Sequence, residues 1–231
     1  MAPIRDLART REKILAAALG EFSAKGFAGA RTQAIARRAR VNKRMLYYCF
    51  GAKQDLYRAV MRAKIAAKAG AIESSPEDFA EALLHWYEVG CNDLDWIRML
   101  EWEALGSGRA RMIAYRERRQ LLLKAVARLR RSQVRGRIPA DVDLSQLFIS
   151  MIALTTFPIA FPQMTRLVSG VGPNHPRFLR KRLRFLRWLG ERICAPAGVA
   201  KPAAAPRARR ARVAIPACRS ARPGLGQVIR A

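Results

Sequence analysis

The sequence predicts an all-α fold in two parts: three short helices at the N-terminus, then a larger helical region. Three observations carry that reading. Apolar residues recur every three or four positions, as at Ile14, Ala18 and Phe22, and the larger region shows no strand alternation. Caps and glycine stops punctuate the first 65 residues at short intervals. At 231 residues and 51% hydrophobic content, the chain can hold one small module and one larger module with a core.

A first helix is expected from a Thr10 cap to about Lys25, with Leu15 and Leu19 beside its apolar stripe. Gly26 supplies a left-handed stop. Thr32 is placed to cap a second helix, Gln33 to about Ala39, whose inward Ile35, Ala36 and Ala39 permit a close crossing. Asn42 is placed to cap a third, Lys43 to Phe50, with Leu46 and Phe50 as its buried stripe and Gly51 as its end. A long helix opens at Lys53 and passes through Leu56 and Val60. The expected packed centre is Ile14, Leu15, Phe22, Phe27, Ile35, Leu46 and Phe50.

The third helix leaves Lys43, Arg44, Tyr47 and Tyr48 on one exposed side. Such a helix, entered through a tight turn, suits a DNA major groove between its phosphate rails. Arg31, Thr32 and Gln33 open the preceding helix, where backbone N–H groups and a hydroxyl can hold a phosphate. Lys53 opens the following helix and can do the same. With Asn42 at the turn, these residues make up the expected DNA-binding face.

Charge points the same way. The formal net charge is +27, and it is densest at the two ends. Residues 1–65 carry 15 basic and 4 acidic side chains, and residues 196–231 carry 8 basic and none acidic. Each phosphate neutralised releases a counterion, so basic ends favour a nucleic-acid partner.

The negative evidence narrows the class further. Cys49, Cys91, Cys194 and Cys218 form no CxxC pair, and His85 and His175 stand apart, so no metal or cofactor is expected. Scattered thiols and an N-terminus without an apolar h-region predict a reducing cytoplasm. The most apolar run, Leu147 to Phe161, is shorter than a membrane span and holds Ser150, Thr155, Thr156 and Pro158, so it reads as a buried helix and no membrane is expected. There is no GxSxG, HExxH, P-loop or GxGxxG, and no enzyme is expected.

Beyond residue 65 the expected helices follow in order. The helix from Lys53 runs to about Ile72, and Ser75-Pro76 starts the next, carrying Phe79, Leu83, Trp86 and Tyr87. Asp95 to Leu105 is apolar on one face and ends at Gly106-Ser107-Gly108. A long helix spans about Arg109 to Arg135. Asp143 caps a very apolar helix to about Val168, kinked at Pro158 and Pro162. His175-Pro176 leads into a final helix with Phe178, Leu179, Leu183, Leu186, Leu189 and Ile193.

The stretch TREKILAAALGEFSAKGFAGARTQAIARRARVNKRMLYYCFGAKQDLYRAV, about residues 10–60, resembles the TetR family of bacterial transcriptional regulators. The motifs that carry the likeness are Gly26-Phe27, Thr32 with Ile35-Ala36, the turn Ala39-Arg40-Val41-Asn42, the Leu46-Tyr47-Tyr48-Cys49-Phe50 helix, and Lys53-Gln54-Asp55-Leu56. The resemblance implies a helix-turn-helix domain over 1–60 and a helical ligand-binding and dimerisation domain over 61–195. It implies a homodimer paired through the last two long helices, a near-palindromic double-stranded DNA operator, a small-molecule effector and repression by default. The chain departs from the pattern at four positions. Arg40 replaces a turn glycine, Arg44 a small residue, Met45 a threonine and Cys49 a tyrosine, which implies a shifted operator preference or weaker specific binding.

For an effector the aromatic and soft residues Trp86, Cys91, Trp96, Trp102, Tyr115 and Phe157 are the candidates. Residues 196–231, rich in Pro, Ala and Arg, are expected to form a basic disordered tail with Arg207, Arg209, Arg210 and Arg212 at its centre. The competing reading of the whole chain is a nucleoid-type protein that binds DNA without sequence preference.

Overall fold

The computed structural model describes residues 2–106 and 112–194. Among them are ten helices and no strand: α1 (Ala2–Gly29), α2 (Thr32–Ala39), α3 (Lys43–Phe50), α4 (Lys53–Glu73), α5 (Phe79–Cys91), α6 (Leu94–Gly106), α7 (Tyr115–Val134), α8 (Leu144–Ala160), α9 (Pro162–Ser169) and α10 (Pro176–Ile193). The all-α expectation holds. The basic run 196–231 and the residues around Ser107-Gly108 lie outside the described residues. Contacts divide the chain into two units, one comprising the chain through Glu73 with Asp93–Leu122, the other beginning with Ser74–Asn92 and resuming at Leu123.

The first unit holds the short helices. Ile14, Ala18, Phe22, Ile35, Leu46, Leu56 and Met61 are fully enclosed, and Met99 from α6 joins them. The helix-helix approach is close where Ala36 and Ala39 of α2 are buried beside α1. Gly26 breaks α1 with φ 67 and ψ 179, a conformation essentially reserved for glycine. A Cβ there would meet the Trp102 ring of α6 at 2.8 Å, so the bare backbone makes room for the indole. The Trp102 indole N–H donates to the Ser23 carbonyl at 3.2 Å, and the Ser23 hydroxyl lies 2.7 Å from Asp95. Glycine, tryptophan and serine thus fasten α6 onto α1.

Several local expectations need correction. Thr10 lies within α1 rather than capping it, because the helix already begins at Ala2. Thr32 is the first residue of α2, and Arg31 holds the extended cap position. Phe27 is 42% exposed rather than central, since the break at Gly26 turns it outward beside Lys53. The buried stripe of α3 pairs Leu46 with Cys49, and Phe50 is only partly covered. Asp78, not Ser75-Pro76, starts α5 by accepting from the Glu81 N–H at 2.9 Å.

In the second unit α5 packs between α8 and α10. A Cβ on Gly190 would lie 2.5 Å from Ala80 Cα, so the α5–α10 crossing depends on two of the smallest residues. Asp143 caps α8, as expected, by accepting from the Ser145 and Gln146 N–H groups. The apolar stretch after it is two helices bent by 84° rather than one kinked helix. Pro158 and Pro162 each lack an N–H and so leave a carbonyl four residues back unpaired. The Arg182 guanidinium donates to the Leu154 carbonyl, and the Thr165 hydroxyl donates to the Pro158 carbonyl at 2.9 Å. Those two side chains make the break affordable. Among the described residues no single helix is long and apolar enough to cross a membrane.

Candidate nucleic-acid interface

The interface is built by a turn that forces α3 outward. At the end of α2, Arg40 adopts φ 57 and ψ 43, the left-handed conformation in which the family resemblance expects a glycine. Its N–H reaches the Ala36 and Arg37 carbonyls, and the Val41 N–H reaches Ala36 at 3.0 Å, which closes the helix end. Asn42 then caps α3 by accepting from the Met45 N–H at 2.7 Å. The Arg11 guanidinium donates to the Cys49 carbonyl at the far end of α3 and lies 4.4 Å above the Phe50 ring. Leu46, fully buried, pins the helix from below. Both ends and the inner face of this short helix are therefore held.

What α3 turns outward is the expected set. Lys43, Arg44, Tyr47 and Tyr48 are exposed, Tyr48 at 76% and Tyr47 at 42%. The Lys43 ammonium lies 5.7 Å from the centre of the Tyr47 ring. The Tyr47 phenol stands 3.4 Å from the Thr32 hydroxyl, so α2 and α3 bring two hydroxyls to one spot. Gln33 and Arg31 are exposed beside Thr32. The Arg31 N–H is engaged by the Glu21 carboxylate at 3.4 Å, which removes one of the backbone donors expected to meet a phosphate. Lys25, the Arg31 N–H and the nearby Arg38 hold the Glu21 carboxyl below its ordinary range against the upward push of burial. Lys53 sits at the start of α4 with its ammonium over Phe27 at 4.8 Å and a bond to the Ala28 carbonyl at 3.3 Å.

Cys49 turns inward, 7% exposed, so the departure from the family pattern there alters packing rather than this face. Met45, by contrast, is exposed and adds an apolar side chain next to Lys43 and Arg44 in the chain.

The six effector candidates do not gather in one unit. Trp96, Trp102 and Tyr115 belong to the first unit, and Trp86, Cys91 and Phe157 to the second. Trp96 packs on the core beneath the Arg118 guanidinium at 5.5 Å, and Trp102 is spent on the α1 break. Tyr115 is exposed at the start of α7. Trp86 donates to the Ser75 hydroxyl at 3.2 Å, Cys91 is buried, and Phe157 is exposed beside Phe161.

Two buried charge groups in the first unit had no sequence signal. Asp93 accepts from Lys64 and Lys68, one turn apart on α4, with Lys68 at 2.8 Å. Arg118, almost fully enclosed, pairs with Glu103 at 2.5 Å. Lysines at i and i+4 on a helix otherwise read as solvated, and only the arrival of Asp93 from a distant loop changes that. Among the described residues no group of three or more His, Cys, Asp or Glu side chains is arranged to hold a metal ion.

Comparison with known proteins agrees with this geometry. Residues 14–60 match the family described as bacterial regulatory proteins, tetR family. The HTH-type transcriptional repressor SCO4008 of Streptomyces coelicolor is 30% identical over 180 residues, covering 78% of this chain and 94% of that protein. The HTH-type transcriptional repressor NicS of Pseudomonas putida is 47% identical over 53 residues, 23% of this chain and 25% of that protein. The crystal structure of the transcriptional regulator SCO4942 from Streptomyces coelicolor superposes with a TM-score of 0.65 at 23% identity, over 79% of this chain and 97% of that one. A helix-turn-helix with an exposed cationic and aromatic face, matched across nearly the full length of a curated relative, places this chain in the TetR family as a DNA-binding transcriptional regulator.

Proposed function

We propose that the protein is a homodimeric, cytoplasmic repressor that reads a near-palindromic operator and is released from it by a small-molecule effector. The observation that supports operator reading is the outward row of α3. Arg44 offers a planar fork suited to guanine, and Tyr47, Tyr48 and Lys43 can contact bases or phosphates. Arg31, Thr32, Gln33, Asn42 and Lys53 would fix the register on the backbone. Repression is supported by the names of SCO4008 and NicS. In this reading residues 1–60 read DNA, 61–195 pair and sense, and the basic run 196–231 holds DNA without reading it.

Pairing is supported by α8. The helix contains no charged residue, and Ile149, Ile152 and Phe157 are exposed along it. A two-fold axis through such a face sets two copies of α3 apart by about one DNA turn or a multiple of it. Release by an effector would be a population shift toward a spacing that misses the groove, with α4 carrying the change, and its size is bounded by the effector's differential affinity for the two states.

Selection of binding sites from random duplex DNA by the full chain at physiological salt tests the reading. An enriched two-fold sequence is expected. Retained binding with no enrichment would instead favour the nucleoid-type alternative.

A further inference from the structure

The first unit encloses a guanidinium with one hydrogen-bonding edge unspent. Arg118 of α7 is 8% exposed. Its Nη1 donates to Glu103 at 2.5 Å, and its central carbon lies 5.5 Å from the centre of the Trp96 ring. Nε and Nη2 form the other edge and point their N–H groups the same way. Nη2 reaches the Met61 sulfur at 3.8 Å, a weak acceptor. Nε is buried and meets no acceptor among the described residues. Arg128 and Arg182 also bury such an Nε, but in each the neighbouring Nη2 already donates to a backbone carbonyl. In Arg118 neither member of the edge has an oxygen among the described residues. Buried polar groups are almost always paired, so the edge needs a physical account.

Its surroundings are apolar or positive. Met61 is fully enclosed, and Tyr57 is buried one turn before it on α4. Burial first, and then the Glu103 carboxylate, raise the Tyr57 phenol above its ordinary range against the pull of Arg118, so that ring adds no negative charge. Lys64 lies three positions beyond Met61, and its partner Asp93 accepts from the Trp96 N–H at 3.3 Å. The two charge groups therefore adjoin through Trp96 and one side of α4. Together they hold three cations, Lys64, Lys68 and Arg118, against two carboxylates, Asp93 and Glu103. One positive charge is in surplus.

We propose that the Nε–Nη2 edge of Arg118 binds a small monocarboxylate, whose apolar body lies against Trp96 and Met61. As the seat of the effector invoked above, the site rests on that reading and gives the effector its chemical class. The side-on edge of an arginine matches the two oxygens of a carboxylate in parallel bonds. One carboxylate cancels a surplus of one charge, whereas a phosphate dianion would reverse it. A primary amide of the same shape offers one oxygen to two donors and leaves the charge uncancelled. An anion on this edge also competes with Glu103 for one guanidinium. α4, which supplies Met61, Lys64 and Lys68, begins at Lys53 of the DNA-binding face, so site and face share one helix.

The test uses the full chain and calorimetric titration, with thermal unfolding as a second readout. The probes are acetate, butyrate, benzoate, phenylacetate and indole-3-acetate, each beside its primary amide, and inorganic phosphate. At least one acid is expected to bind saturably, and its amide about tenfold or more weakly. Arg118→Lys keeps a cation for Glu103 but has no side-on pair of donors. It is expected to weaken that acid by about tenfold or more and leave its amide level, so the preference for acid collapses. Equal losses for acid and amide would mark Arg118 as structural and overturn the proposal. Glu103→Gln withdraws the competing carboxylate and is expected to tighten the acid, a gain that damaged folding cannot imitate; weaker binding there overturns it. So do saturable binding of no acid in the set, equal binding of acid and amide, and binding of phosphate alone. Release of the selected operator duplex separates this site from the effector reading. An acid that binds through Arg118 and leaves the duplex bound supports the carboxylate site and overturns its link to release. A neutral compound that releases the duplex equally from wild type and Arg118→Lys keeps the effector reading and overturns the assignment of Arg118.

Discussion

The two units of this chain solve the same problem, holding amphipathic helices together, with different materials. The first buries charge. Lys64 and Lys68 close on Asp93, and Arg118 closes on Glu103 beneath Trp96. At its α5–α10 crossing the second brings small groups together, where Gly190 meets Ala80. A buried ion pair is a poor source of net stability but is costly to break on one side. A small-residue crossing is stable but admits no added atom. Each unit also turns one cationic, aromatic helix outward. α3 is short, capped at both ends, and its aromatics carry hydroxyls. α10 is longer, and its exposed aromatics, Phe185 and Trp188, carry none.

The sharpest way to break the first unit is to remove the shared carboxylate. Asp93→Asn strands two enclosed lysines and is expected to cost about 3–5 kcal/mol in denaturant unfolding. Its pH dependence identifies the cause. Burial pushes the Asp93 carboxyl up, but Lys68 and Lys64 together outweigh it and hold the group below its ordinary 3.8. A depressed carboxylate contributes stability that is complete above that ordinary value and fades as pH falls through the lower, folded value. Wild type should therefore lose its advantage over Asp93→Asn in acid. A gap between the two that is as wide in acid as at neutrality would sink the account.

The second unit should yield to a single methyl group. Gly190→Ala puts a Cβ within 3.0 Å of Ala80 Cα, Cβ and N, which includes backbone that cannot rotate away. Overpacking of about 1–3 kcal/mol is expected, read as a lowered thermal midpoint. Gly70, with nothing within 4 Å of its added Cβ, is the internal control, and Gly70→Ala should leave the midpoint level or raise it.

The outward helix of the first unit is tested at Tyr47. Tyr47→Ala is expected to weaken operator affinity by about 1–3 kcal/mol without loss of folding, because the ring is exposed and its phenol meets only Thr32 at 3.4 Å. Equal affinity for selected and scrambled duplexes in that variant would confirm that this side chain discriminates; unchanged affinity for both would remove α3 from the groove.

The same contrast explains what could be read from the sequence. The α2–turn–α3 face was legible because its determinants are local. A cap bonds two or three residues ahead, and a four-residue repeat fixes which side faces out, so Asn42, Leu46 and the Lys43, Arg44, Tyr47, Tyr48 row follow from spacing alone. Asp143 was legible for the same reason. The buried charges were not, since Lys64 meets Asp93 across 29 residues and Trp102 meets Ser23 across 79. Phe27 was misplaced because its outward turn depends on the Gly26 break and on the Trp102 ring that fills it. The helix at Asp143 was expected to kink, and the stronger 84° break needed Arg182 and Thr165 to satisfy the carbonyls that two prolines orphan.

The smallest expected effect lies at the turn itself. Arg40 holds φ 57, where a Cβ crowds the following carbonyl at a cost of about 1–2 kcal/mol for a residue that is not glycine. Glycine escapes that strain but gives back about 0.4–1 kcal/mol through the freedom of the unfolded chain. Arg40→Gly should therefore raise stability by about 1 kcal/mol or less, with the Ala36 and Arg37 carbonyls still accepting from its N–H. A fall in the thermal midpoint would mean that the arginine side chain stabilises the turn more than its backbone strains it. Operator affinity separates the remaining explanations for an arginine in that place. Affinity that holds while stability rises marks Arg40 as a tolerated imperfection of the turn. Affinity that drops, with a shallower salt dependence, marks it as a phosphate contact for which the turn accepts the strain.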